Sequence, residues 1–144
     1  MEKRLYYSLT RTQNSLHQYV KHILQKKRLK ASPAQLAIMF LLYEKNNISM
    51  SYISNELELD NSAITRSIDR LEKYGFVKRV INSNDRREFA IEITESGMSE
   101  IQKAQKVIKE INNFIESKIK KERLAAFKEI LDELNSILRE ELQK

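Results

Sequence analysis

The chain has no cysteine. That single absence excludes disulfides, thiolate zinc sites, cysteine nucleophiles and thiol redox sensing. Only two glycines, Gly75 and Gly97, and one proline, Pro33, interrupt 144 residues. With so few breakers, long helices are expected, and the two glycines bracket a middle segment unlike its flanks. The longest uncharged apolar run, residues 36–43, falls far short of the roughly 20 residues that span a bilayer. No signal peptide is expected, because Glu2, Lys3 and Arg4 precede only a polar, broken pattern. Hydrophobic residues make up 41% and charged residues 32%, too apolar for disorder and too charged for a membrane protein. The net charge of +6 and the lack of an export signal point to a cytoplasmic protein.

The positive charge is not spread evenly. Residues 1–30 carry a net +7, residues 31–59 a net −2, residues 60–94 a net +1, and the remainder is neutral. The excess sits on Lys21, Lys26, Lys27, Arg28 and Lys30. Two readings stand: cations complementing a helix C-terminus, or a patch facing phosphate.

Residues 4–28 space Leu5, Leu9, Leu16, Val20, Ile23 and Leu24 as one helix does. Ser32, Pro33 and Gln35 then form a helix start with a capping box. The helix that follows, 33–44, is apolar nearly all round and belongs at the centre of the fold. Ser49 or Ser51 caps a short third helix ending near Leu57. Asp60 and its neighbours cap a fourth, with Ile64, Ile68 and Leu71 on its inner face and a stop at Gly75. Then the period changes from helix to strand. Residues 76–81 and 88–94 alternate, the second run with Phe89, Ile91 and Ile93 on one face, around a polar tip at 82–87. Two more helices, 99–119 and 122–142, close the chain. The expected class is mainly α with a small β-hairpin, in the order α-α-α-α-β-β-α-α.

A short helix, a turn, an amphipathic helix with a polar outer face and a hairpin with an arginine tip make a winged helix-turn-helix. A recognition helix needs short polar side chains and arginine toward the major groove, which Ser62, Thr65 and Arg66 supply. A hairpin tip entering a minor groove needs arginine, which Arg86 and Arg87 supply. Arg70 and Lys73 either touch phosphate or solvate the helix. Ser49, Ser51 and Ser54 either donate to phosphate or serve as caps and packing.

The run 63–79, Ala-Ile-Thr-Arg-Ser-Ile-Asp-Arg-Leu-Glu-Lys-Tyr-Gly-Phe-Val-Lys-Arg, resembles the MarR family of regulators. Asn84-Asp85-Arg86-Arg87 and Ile93-Thr94-Glu95-Ser96-Gly97 follow at the family's spacing, and helix order matches over nearly the whole chain. Two positions depart from the pattern. Glu58 stands in a turn where the family often has glycine, and Ile93 stands where leucine is usual. The resemblance implies a homodimer with interlaced terminal helices on a pseudo-palindromic double-stranded operator, and repression relieved by a small aromatic or amphipathic ligand. It implies Ser62, Thr65 and Arg66 at the major groove and Arg87 in the minor groove. It places Arg86 near phosphate, Asp85 orienting the wing, and Asp69 paired with Arg79. The corresponding division is a helical dimerisation region, 1–30 and 99–144, and a DNA-binding domain, 31–98. The apolar stripes of the terminal helices independently call for a partner, since one small protomer cannot cover them.

His17 and His22, the two histidines, are five apart and share no helical face, so no metal site is expected. Tyr6, Tyr7, Tyr19 and Tyr43 either line the ligand pocket that the resemblance implies or fill the core edge. No cofactor motif and no catalytic constellation is visible, so an enzyme is not expected. The competing reading is a helical protein-interaction module whose wing binds no specific DNA.

Overall fold

A computed structural model describes residues 4–144. The two acidic and basic residues at positions 2 and 3, and the first residues of the 1–30 region, lie outside the described residues. The elements run α1 (Leu5–Lys26), α2 (Pro33–Glu44), β1 (Ile48–Ser49), α3 (Met50–Leu57), α4 (Asn61–Lys73), β2 (Val77–Ile81), β3 (Phe89–Ile93), α5 (Glu95–Ser117) and α6 (Lys121–Leu142). Contacts divide the chain into two compact units, one running up to Ile108 and one of Lys109–Lys144.

In the first unit, local chemistry sets the helix ends. The Ser32 hydroxyl accepts from the Gln35 N–H while the Gln35 side chain accepts from the Ser32 N–H, closing the capping box. α2 then buries Leu36, Ile38, Met39 and Leu42 almost completely, joined by Leu24 of α1, Ile53 of α3, Ile64, Ile68 and Leu71 of α4, and Ile101 of α5. Three helices stop in the same way. Arg28, Glu58 and Gly75 take left-handed backbone angles (φ 62°, 53° and 78°). After each, the next N–H reaches back five residues, from Leu29 to Leu24, Leu59 to Ser54 and Phe76 to Leu71.

The sheet has three strands, not two. β1 adds to the hairpin in the order β1-β3-β2, all antiparallel, with Ile48 opposite Ile91 and Ser49 opposite Ala90. Phe89 and Ile91 share a face of β3, as expected, but burial does not follow the faces: Ala90 and Ile91 are both buried, whereas Phe89 is exposed. β1 pairs with the middle of β3, and Ile81 and Phe89 at the outer end of the hairpin stay exposed.

α5 begins at Glu95, four residues before the expected start, so Gly97 lies within its first turn and is no breaker. Thr94 explains this. Its hydroxyl accepts from the Gly97 N–H at 3.0 Å and donates to the Gly75 carbonyl at 2.6 Å. Glycine is needed because a Cβ at residue 97 would run into the Phe76 carbonyl oxygen and come within 2.8 Å of Ile93. The carboxylate of Glu100, buried on α5, accepts from the Lys30 N–H at 2.7 Å and so holds the α1–α2 link against α5.

In the second unit, Lys128 of α6 pairs with Glu116 of α5 at 2.7 Å. No described residue of α6 is buried. Phe127, Ile130, Leu131, Ile137, Leu138 and Leu142 are exposed along it.

Candidate nucleic-acid interface

Two caps and one strained turn orient the central helices. The Ser49 hydroxyl accepts from the Tyr52 N–H and starts α3. Glu58 ends α3 with the left-handed turn that the sequence departure had put in question, so the turn forms without glycine. The Ser54 hydroxyl donates to the Leu59 carbonyl and braces it. Asp60 then caps α4. It accepts from the Ser62 hydroxyl at 2.6 Å and the Ala63 N–H at 2.7 Å. The Ser62 bond, with the Ala63 bond behind it, holds the Asp60 carboxyl below its ordinary range.

α4 is sharply two-faced. Ile64, Ile68 and Leu71 are buried, while Ser62, Thr65, Arg66, Asp69, Arg70 and Lys73 are exposed. Two of the hydroxyls are already engaged locally: Ser62 donates to Asp60 and Thr65 donates to the Asn61 carbonyl at 2.8 Å. Each keeps lone pairs facing outward as acceptors. Arg66 and Arg70 present their guanidinium groups on the exposed face.

The hairpin is fastened to this helix. Arg79 of β2 donates to Asp69 and, at 2.6 Å, to Glu72, both on α4. Its guanidinium is pushed above its ordinary value, first by the Asp69 bond. Glu72 was not anticipated. Its signal was available: it stands three residues after Asp69, on the same helical face. The hairpin is held along its β3 edge too. Asn47 donates to Glu92 at 2.8 Å, the Asn46 side chain accepts from the Ile93 N–H, and Glu88 accepts from the Ser51 N–H at 3.0 Å. Ser51 therefore offers its backbone to the wing, and Ser49 alone is the cap. At the tip, Asp85 accepts from the Arg87 N–H and from Nε at 3.0 Å, and from a second guanidinium nitrogen at 3.2 Å. The pair lowers the Asp85 carboxyl and leaves the Arg87 side chain 90% exposed. Arg86 is exposed beside it.

His17 and His22 are both exposed, and among the described residues no group of three or more His, Asp or Glu is placed to hold a metal. Among the described residues no helix is long and apolar enough to cross a membrane.

A helix, a tight turn, a second helix with an exposed polar face and a hairpin clamped to that helix define a winged helix-turn-helix domain. Residues 31–89 match the sequence model of the MarR family. It is 37% identical over 60 residues to the HTH-type transcriptional regulator BilQ of Clostridioides difficile (strain CD3), a match covering 40% of each chain. The first curated relatives are matched over only 40–46% of their own length. Likeness of fold extends further. The transcriptional regulator BldR from Sulfolobus solfataricus superposes with a TM-score of 0.80 at 28% identity, covering 94% of this chain and 93% of that one. The transcriptional repressor CouR, solved on a 23-mer DNA duplex, superposes with a TM-score of 0.85 at 20% identity, covering 92% and 93%.

Proposed function

We propose that this chain is a sequence-specific, double-stranded DNA-binding transcriptional regulator, a homodimeric repressor released by a small molecule. The observation that carries the reading is the joint exposure of Ser62, Thr65, Arg66 and Arg70 on α4 and of Arg86 and Arg87 on a hairpin clamped to α4 through Arg79. Rigid attachment matters because two grooves must be met at once from one scaffold. In this reading Ser62, Thr65 and Arg66 meet base edges in the major groove. Arg70 and Arg86 neutralise phosphate, and Arg87, aimed by Asp85, enters the minor groove. The Asp69–Arg79 pair carries no base contact and keeps helix and wing in one register.

Residues 31–98 form the DNA-binding domain, and 1–30 with 99–144 form the dimerisation region. Support for the latter is the bare apolar surface on both parts. Leu5, Tyr6, Tyr7 and Leu16 of α1 are exposed, as are Phe114 and the α6 residues Phe127, Ile130 and Leu138. Monomers avoid patches of that extent, and a two-fold partner covers them with the same surfaces. A recess along α1, lined by Tyr7, Ser8, Arg11, Thr12 and Ser15, offers a ring, hydroxyls and a guanidinium to a small aromatic or amphipathic ligand.

Selection of duplexes from a random-sequence pool tests the proposal. A pseudo-palindromic consensus, bound by a dimer, is the expected result. Arg66→Ala should then cost about 1–3 kcal/mol and relax preference at one position of each half-site. Binding with no sequence preference, or a stable monomer at micromolar concentration, overturns it.

A further inference from the structure

Ile81 and Phe89 form the last cross-strand pair before the hairpin loop. Residues two apart on a strand share a face, as do directly opposed residues on neighbouring strands. The pair therefore lies on the sheet face that carries Val77, Arg79 and Ile91. At the hairpin base that face is core, with Val77 and Ile91 fully buried. One step outward, Arg79 bonds Asp69 and Glu72, so the face is turned toward α4. Beyond Arg79 the cover stops: Ile81 is 73% exposed and Phe89 53%. Arg86, Arg87 and Glu88 line the same small recess as this pair.

A solvated hairpin end has no need of a large aliphatic and an aromatic side chain, and a bare apolar edge invites association. We infer that Ile81 and Phe89 form an apolar platform that packs against the deoxyribose faces of a bound duplex, between the groove met by α4 and the groove met by the wing tip. The charge around the platform selects the occupant. Arg86 and Arg87 are both exposed beside it, and a duplex strand offers anionic phosphate alternating with apolar sugar. A second copy of the wing would bring two such arginine pairs together, a like-charge contact. The inference rests on the DNA-binding reading above. It adds a non-ionic term that the arginines do not supply.

The test is a titration of the full-length protein, by fluorescence anisotropy at several salt concentrations, on a duplex that the parent protein selects. The double variant Ile81→Ser with Phe89→Ser should bind about tenfold more weakly at every salt, close to 1.4 kcal/mol. The log–log salt slope should not change, since no charge is removed. Phe89→Leu alone, which keeps an apolar side chain, should bind within about twofold of the parent, a change near 0.4 kcal/mol. Parent-like affinity in the double variant overturns the inference, with or without a weakened dimer. So does a loss that comes with a shallower slope, because the pair would then act only by placing the arginines. Should Ser at both sites lower the melting temperature, Ile81→Thr alone keeps the β-branch and must still weaken binding without altering the slope. A parent protein that selects no duplex fails the DNA-binding reading itself, a result distinct from all of these.

Discussion

Arg79 of β2 donates to Asp69, ten residues earlier on α4, and the same guanidinium reaches Glu72. One side chain thus ties the hairpin to two points on the helix. The arginine is only 21% exposed, but its partners are 59% and 42% exposed, so solvent screens much of the attraction. Arg79→Ala should therefore destabilise the fold by only about 1 kcal/mol. Its effect on DNA should be larger, because helix and wing lose their common register. Urea unfolding and operator titration of the same variant check this. Equal losses in the two measurements would mean that Arg79 serves stability alone.

Glu58 holds φ at 53° in the turn between α3 and α4. A side chain there meets the backbone, which for an L-residue costs about 1–2 kcal/mol. Glycine removes that cost but loses more entropy on folding, about 0.4–1 kcal/mol. Glu58→Gly should therefore gain roughly 0.5 kcal/mol and raise the melting temperature by a few degrees. Thermal unfolding at fixed pH measures it. A lower melting temperature would show that the glutamate side chain contributes more than its backbone strain removes.

Local chemistry explains which parts of this architecture were legible beforehand. α2 was readable to the residue because Ser32, Pro33 and Gln35 cap it within four residues. The end of α4 was readable because Gly75 supplies the left-handed turn. β1 was not: Ile48 and Ser49 are too short for any period, and they are a strand only because Ile91 and Ala90 lie opposite. The start of α5 was missed for a similar reason. Gly97 reads as a stop, yet here it is a close approach to the Phe76 backbone, which only packing reveals. In the wing, Asp85 and Arg87 are two residues apart and their pairing is local. Glu88 meets Ser51 across 37 residues, and no spacing announces that bond.

The cap on α4 gives a pH dependence with a definite sign. Asp60 lies below its ordinary value of 3.8, chiefly through the Ser62 hydroxyl. A depressed folded value means that the charged cap contributes fully above 3.8 and fades as pH falls through the lower folded value. Amide exchange at Ala63 should show constant protection at neutral and mildly acidic pH, then a fall below that range. Asp60→Asn retains an acceptor without a titrating charge and should abolish the fall. An unchanged acid profile in Asp60→Asn would remove Asp60 from the account.

The wing prediction separates two neighbouring arginines by what each would meet. Asp85 bonds Arg87 through the backbone N–H and two guanidinium nitrogens, which fixes the direction of a side chain that is otherwise 90% exposed. Arg86 is exposed beside it, and among the described residues no hydrogen bond to Asp85 directs it, which suits a charge meeting phosphate. Affinity for an operator should fall with salt at a log–log slope of about −0.9 per phosphate neutralised. Each protomer of a dimer supplies one Arg86, so Arg86→Ala should reduce that slope by about two units per dimer. Arg87 gains most where the minor groove is narrow and strongly negative, as at A·T-rich steps. Arg87→Ala should therefore weaken binding most on operators with A·T-rich flanks and least on G·C-rich ones. Asp85→Ala should blur that flank preference while leaving the slope nearly intact, because the charge stays and only its direction is lost. Titration at several salt concentrations on flank-swapped operators resolves the three variants. If Arg86→Ala and Arg87→Ala both bind as the parent does at every salt, the hairpin tip touches no DNA and α4 must account for recognition alone.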